Sequence, residues 1–316
     1  MRTITLFGSL NVTEYGLCVA LGAALWCALT ALAARRFRVR ADALCALLPC
    51  ALLLGFACSR LLYVLGSLPY YLEEISQPDK ALCFWHGGYS MAGALLGVWL
   101  ACLLAAKWTR ASWRTLADCA AVGAPALVLC ERFAERATGL GLGRSIHDAA
   151  LRQNPFFATV TEEGYCFHTV YRYEAIVAAL LLALALWLLL RSQRRAGYAA
   201  RLLTVLFCAS QVLLESLRGD GHMLLGFVRV QQAIYFVALL ALAASRIARV
   251  AKGERFLGKP LALCCVLLLS FALCVLMEFR VDASRNLWLD YALMALGLAA
   301  MGAVCMLGET KATSTK

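Results

Sequence analysis

Apolar residues in this chain run in long blocks rather than alternating or repeating on one helical face. Stretches of about 17–25 residues, the length a helix needs to cross a bilayer, recur from end to end. We read nine, at about 13–34, 42–65, 87–106, 114–131, 174–190, 200–216, 229–247, 260–278 and 287–307. The pattern predicts an all-α polytopic membrane protein. The sixth block is the weakest, because Gln211 and Glu215 interrupt it. The first lacks the strongly basic start and small-residue cleavage site of a removable signal peptide, so it reads as a retained span.

Composition strengthens this reading. The chain is 62% hydrophobic with mean hydropathy +0.74, against roughly 45–50% apolar in soluble domains. Its net charge of +11 is not a nucleic-acid signal, because the basic residues sit between blocks and in alternate loops. Arg35–Arg40, Lys107–Arg114, Arg191–Arg201, Arg246–Lys259 and the tail hold 18 of the 30 Lys and Arg residues on one side. The positive-inside rule makes that side cytoplasmic, with the N-terminus outside and the C-terminus inside. Most of the 15 cysteines lie within apolar blocks, where Cys behaves as a small hydrophobe. Cys83 and Cys166 fall in outward loops, and both a disulfide and two free thiols are open there.

The outward segments carry the unusual chemistry. Residues 68–80 read as a short interfacial helix, with Tyr70 and Tyr71 at headgroup level. The longest connection, about 133–170, contains His147-Asp148, Asn154-Pro155 and Glu162-Glu163-Gly164 and predicts a small exofacial head. No Walker loop, Ser-His-Asp spacing, paired-carboxylate motif or metal-ligand spacing is present, and neither a metal nor a cofactor is called for. No internal repeat is visible, which weighs against inverted-repeat transporters.

Four constellations stand out at the outer ends of spans. The fourth span ends in Glu131-Arg132-Phe-Ala-Glu135-Arg136, followed by Gly139, Gly141 and Gly143-Arg144. A charge at membrane depth costs roughly 2.5–3.5 kcal/mol. Glu131/Glu135 and Arg132/Arg136 are like-charge i,i+4 pairs. Only Arg132 and Glu135 pair well along this helix, so the others need partners elsewhere or a ligand. A helix end solvated among headgroups and a site for an anionic headgroup both fit. The second constellation, Phe84-Trp85-His86-Gly87-Gly88-Tyr89-Ser90-Met91-Ala92-Gly93-Ala94-Leu95-Leu96-Gly97, opens span three; its small residues suit close approach by a neighbouring helix or a lipid. The third, His168-Thr-Val-Tyr171-Arg172-Tyr173-Glu174, opens span five as a site or as an interfacial belt. The fourth is Gln211-Val-Leu-Leu-Glu215-Ser-Leu-Arg218-Gly-Asp220, with Gln232 beyond; Gln211 and Glu215 share a face, and Glu215 and Arg218 are spaced to pair.

The order of these motifs resembles the prolipoprotein diacylglyceryl transferase family over about residues 10–245. Tyr15-Gly16-Leu17, Ser59-Arg60-Leu-Leu-Tyr63, the Gly87–Gly97 block, Asp118, Pro125 and Arg132 in register, His168 with Tyr173-Glu174, and Glu215-x-x-Arg218 carry it. The resemblance implies a seven-span bundle, here with two extra C-terminal spans. It suggests a membrane domain at 1–250 and an addition at 251–316. It also implies transfer of a diacylglyceryl group from phosphatidylglycerol to the lipobox cysteine thiol of a preprolipoprotein signal peptide. The expected setting is a bacterial plasma membrane, with the site facing the outer leaflet. The chain departs from the family where Glu135 and Thr138 replace asparagines, Leu140 replaces a glutamate, Ala92 a histidine and Gln211 an arginine.

This chemistry assigns expected roles. A leaving phosphate needs fixed positive charge, best given by a guanidinium, and Arg132 is the first choice, with Arg136, Arg144 and Arg218 supplementing it. The thiol needs deprotonation, its reference pKa being about 8.5, and His168, His86 or Glu135 could serve as base. Arg132, Glu215, His168 and Glu135 are the catalytic candidates. Tyr15, Arg132, Gly143, Arg218, Gly87 and Gly88 are the substrate-binding candidates. Three readings compete: a transferase with a rearranged site, a lipid-modifying enzyme with another acceptor, and a non-catalytic lipid- or signal-peptide-binding relative.

Overall fold

The computed structural model describes residues 3–6, 10–74, 83–84, 87–146, 148–161, 164–191, 195–221, 223–225, 228–253, 258–281, 284 and 286–307. A short hairpin, β1 (Thr3–Leu6) and β2 (Leu10–Thr13), leads into α1 (Glu14–Arg36) and α2 (Ala41–Gly66). A single π-helical turn, Tyr70–Glu74, follows. Next come α3 (Met91–Thr109), α4 (Trp113–Ala134) and a 3-10 turn, Glu135–Ala137. The connection to the next long helix carries β3 (Leu142–Ser145), α5 (Ala149–Arg152), β4 (Ala158–Val160) and β5 (Cys166–Thr169). Then come α6 (Val170–Leu190), α7 (Tyr198–Leu217), the short strands β6 (Leu224–Leu225) and β7 (Val228–Arg229), α8 (Val230–Gly253), α9 (Gly258–Val281) and α10 (Leu287–Met306).

The protein is an all-α polytopic membrane protein. Eight helices among the described residues are long and apolar enough to cross a bilayer. The exception among the long helices is α4, which has 12 buried residues of its 22 and carries Arg114, Asp118, Glu131 and Arg132. Asp118 and Arg132 are buried, in keeping with ionisable groups at membrane depth facing the bundle interior, while Arg114 is exposed near the start of the helix. The interrupted sixth block forms one continuous helix, α7, with Gln211 and Glu215 both buried.

Two compact units make up the chain: 1–200 with 217–231, and 201–216 with 232–316. In the first, α4 packs on α1, α3 and α6, while α2 packs on α3. Small residues make these contacts close. A Cβ on Gly93 or Gly97 of α3 would collide with the Cys58 or Leu54 carbonyl of α2. Trp26 Nε1 donates to the Ala120 carbonyl at 3.0 Å, tying α1 to α4. In the second unit, α9 packs on α10, and buried Asp290 pairs with Arg280 at 3.2 Å.

The 133–170 connection holds a small antiparallel sheet in the order β3-β5-β4, over a core of Ile146, Ala158 and Cys166. Cys83 and Cys166 are free thiols. Span three starts later than expected. Gly87 and Gly88 both have φ +76, a left-handed conformation that precedes the helix rather than belonging to it. Ser90 caps α3 by accepting from Gly93 N at 3.4 Å. Of the expected 68–80 helix, residues 68–74 are helical, ending in the π-helical turn, and 75–80 lie outside the described residues; Tyr71 is buried instead of lying at the surface.

Candidate active site

Among the described residues of the first unit, ion pairs concentrate at the charged end of α4. Arg132 is 2% exposed, and its Nη1 donates to Glu135 Oε1 at 2.8 Å. Its Nε lies 3.3 Å from Glu131 Oε2 and 3.5 Å from Glu174 Oε2. The adjacent Glu131 adds a second ion pair along this helix, beside the hydrogen-bonded Arg132–Glu135 pair that the spacing predicts. The Glu131 carboxylate also accepts from the Tyr15 hydroxyl at 3.2 Å, across from α1.

Arg218, just past α7, enters the same cluster. Its Nη2 donates to Glu135 Oε1 at 3.1 Å, and its Nη1 donates to Glu174 Oε2 at 3.2 Å. Asp220 Oδ2 takes Arg218 Nη2 at 2.8 Å and Nε at 3.2 Å. Arg229 donates to the Arg218 carbonyl and, at 3.2 Å, to the Asp220 carbonyl. Two guanidiniums thus share the Glu135 Oε1 atom and the Glu174 carboxylate. Glu135 Oε2 is buried and has no hydrogen-bond partner among the described residues.

Backbone turns hold this cluster in place. Gly141 has φ +72, and its N–H donates to Asp220 Oδ2 at 2.7 Å. A side chain there would meet Glu135 Oε2 at 2.6 Å and Tyr171 Cβ at 2.7 Å. Gly143 forms an antiparallel bridge with Arg218, and Gly219 N donates to the Leu142 carbonyl at 2.8 Å. The glycine-spaced turn after α4 therefore lets the head's first strand run against the backbone that carries Arg218.

A family model for prolipoprotein diacylglyceryl transferase matches residues 2–248. The chain belongs to that family. Similar proteins include the phosphatidylglycerol–prolipoprotein diacylglyceryl transferases of Staphylococcus aureus strains Newman and NCTC 8325 / PS 47. Each is 25% identical over 242 residues, which is 74% of this chain and 83% of the relative. That of strain MW2 is 24% identical over the same length. The chain is an enzyme, a transferase, and α9 and α10 lie beyond the part that matches the prolipoprotein diacylglyceryl transferase model.

The structure brings together Tyr15, Arg132, Glu135, Gly143 and Arg218 of the residues singled out in the sequence. Gly87 and Gly88 sit elsewhere in the first unit. Their carbonyls accept from Arg60 Nη1, at 2.9 Å for Gly88, and Arg60 Nη2 donates to the Cys83 carbonyl at 3.0 Å. The Arg60 guanidinium also lies 5.9–6.0 Å from the rings of Tyr63, Tyr71 and Tyr89. Arg60 thus binds the turn that precedes α3. His168 lies on β5 opposite Ala158, with its Cβ 3.0 Å from where a Gly143 side chain would begin. Burial pushes its pKa below the usual histidine value. Glu215 belongs to the second unit, buried on α7 with Gln211. His86 lies outside the described residues.

Arg136 is half exposed and pairs with Glu14 at 2.9 Å, at the rim of the cluster. Arg144 is exposed on β3. Glu174 and Asp220 complete the network, yet neither was among the site candidates. Glu174 had a visible signal, an acid near the start of an apolar span, and it is fully buried. Asp220 had only its spacing from Arg218.

Proposed function

We propose that the chain transfers a diacylglyceryl group from phosphatidylglycerol to the lipobox cysteine thiol of a preprolipoprotein. In the reaction the cysteine sulfur forms a bond to the glyceryl carbon, the carbon–oxygen bond to the phosphate breaks, and glycerol phosphate leaves with that electron pair. The thiol proton passes to a base. The observation that carries this reading is the single Glu135 oxygen held between Arg132 and Arg218 at 2.8 and 3.1 Å. Two buried guanidiniums converging on one oxygen form a cradle for an oxyanion, and a phosphate oxygen has the same needs.

In this reading phosphate binding displaces the Glu135 carboxylate from the cradle. Arg132 and Arg218 then hold the negative charge that grows on the leaving phosphate. His168, whose charged form burial disfavours, takes the thiol proton. Tyr15 orients the headgroup from α1. Glu215 is carried as a candidate through its match to the family motif, and Gly87 and Gly88 as residues that shape the entrance of α3. Residues 1–250 form the catalytic domain, and 251–316 are an addition to it. The N-terminus faces outside, and the cradle faces the outer leaflet of a bacterial plasma membrane.

Mass spectrometry of the peptide product tests the reaction. Purified protein given phosphatidylglycerol and a lipobox peptide should add one diacylglyceryl group to the cysteine sulfur, and none to a Cys→Ser peptide. An unmodified peptide after prolonged incubation with folded protein would overturn the reading. Modification at another residue would instead establish a transferase with a different acceptor.

A further inference from the structure

The opposite end of α4 holds a second concave site that the transfer chemistry does not use. Thr115 and Arg132 stand near the two ends of this helix, about 25 Å apart at 1.5 Å per residue. A cavity of about 300 Å³ opens at the Thr115 end. Its walls include Arg36, Phe37 and Arg38 at the end of α1, Thr115 and Asp118 of α4, and Arg195 before α7. We propose that this cavity binds a phosphate-bearing anion. The proposal is independent of the transferase reading.

Charge is the first argument. Three arginines and one aspartate line the cavity, and the aspartate carboxylate is already engaged. Asp118 Oδ2 accepts from Gly197 N at 2.6 Å, and Oδ1 accepts from Ala200 N at 2.7 Å, holding the turn that starts α7. Arg36 and Arg38 are exposed and enter no ion pair among the described residues. Guanidinium donors favour phosphate over a spherical anion, because they bind two oxygens at once.

The backbone supplies the second argument. Arg38 has φ +54, a left-handed conformation at the end of a helix that glycine adopts without strain. The carbonyls at the end of α1 do not need its side chain. Phe37 N takes the Ala33 carbonyl and Val39 N takes that of Ala34, both at 2.8 Å. The strained position thus places an unpaired guanidinium at the mouth of a cavity. A general excess of positive charge on this side of the membrane accounts for arginines in the loop, but not for a walled cavity with one of them in a strained conformation at its edge. The volume is at the lower end for ligand pockets, enough for a phosphate bearing a small alcohol.

Such a phosphate can come from a lipid headgroup at this membrane face or from a soluble phosphate. Thermal unfolding of the full-length protein, in detergent and in nanodiscs, tests the site and separates the sources. In detergent, inorganic phosphate should raise the midpoint relative to chloride at equal ionic strength if the source is soluble. In nanodiscs, phosphatidic acid in phosphatidylcholine should raise it relative to phosphatidylcholine alone if the source is lipid. Arg38→Gly removes the guanidinium and relieves the backbone, so the protein stays folded. It should weaken the responding ligand at least tenfold, as should Arg36→Gln. A response to either ligand that both variants lower supports the site and identifies the source. No response to either ligand, or a response that both variants leave unchanged, overturns the proposal.

Discussion

Arg132 and Arg218 meet on one atom: Glu135 Oε1 accepts from Arg132 Nη1 at 2.8 Å and from Arg218 Nη2 at 3.1 Å. The two arginines are 86 positions apart in the sequence, and each is 2% exposed. Like charges this deeply buried persist only because Glu131, Glu135, Glu174 and Asp220 surround them. The cluster therefore ties together separate parts of the first unit and, in the proposed function, also binds the phosphate. Each role predicts a different response to mutation.

Removing one cation should cost stability. Arg218→Ala leaves Glu135, Glu174 and Asp220 buried with one partner fewer, a loss of about 3–5 kcal/mol for a broken buried pair. Thermal unfolding in detergent checks this, and an unchanged midpoint would show that the cluster contributes nothing to folding. Replacing the exposed rim residue in Arg136→Ala removes only a half-exposed pair to Glu14, with a cost of about 0–1 kcal/mol.

Glu135 should act as a resident competitor for the cradle. Glu135→Gln keeps the side chain's size and removes its charge. Affinity for phosphatidylglycerol should then rise about tenfold, ~1.4 kcal/mol. Equal or weaker lipid binding, measured by titration in detergent, would mean that Glu135 leaves the arginines free to bind phosphate or assists that binding.

Helix contact through bare backbone gives a third prediction. Gly97→Ala puts a methyl group against the Leu54 carbonyl of α2 and should destabilise by about 1–3 kcal/mol through overpacking. Gly55→Ala is the control, since its Cβ would lie 3.6 Å from the Ala94 carbonyl, an ordinary contact. Equal unfolding midpoints for the two variants would contradict the packing described here.

Much of this architecture was legible in the sequence because span length and hydropathy are local properties. Span three was placed too early because Gly87 and Gly88 look like helix-packing residues when only composition is visible; their φ of +76 puts them outside the helix. The α4 charge run stood out through its unpaired cost, and the Arg132–Glu135 pair followed from spacing alone. Glu174 and Asp220 stand within the sequence motifs, but the sharing of Glu174 between Arg132 and Arg218 and the hydrogen bond from Gly141 to Asp220 join separate elements, which no local pattern reveals. Tyr15 was read as a headgroup ligand, and its hydroxyl donates to Glu131, a contact fixed only by the packing of α1 on α4.

Histidine 168 sets the sign of a pH effect. Its folded pKa lies below its usual value because burial disfavours the charged ring. The unfolded chain therefore binds the proton first, so His168's stabilising contribution is present above the usual value of about 6.5 and is lost as pH falls below it. If His168 is the base, transfer should fall with acidification through the lowered pKa. His168→Gln should slow transfer and remove that acid limb, and an acid limb left intact would assign the base elsewhere.

The most direct measurement is release of glycerol phosphate from phosphatidylglycerol in the presence of a lipobox peptide, compared among the unmutated protein, Arg132→Lys and Arg132→Ala. Unfolding curves on the same samples confirm that each is folded. Release should require the peptide cysteine and fall by about 10²-fold or more in folded Arg132→Lys, which keeps the charge but loses the two-oxygen geometry. Release at the unmutated rate in both folded variants would contradict this expectation.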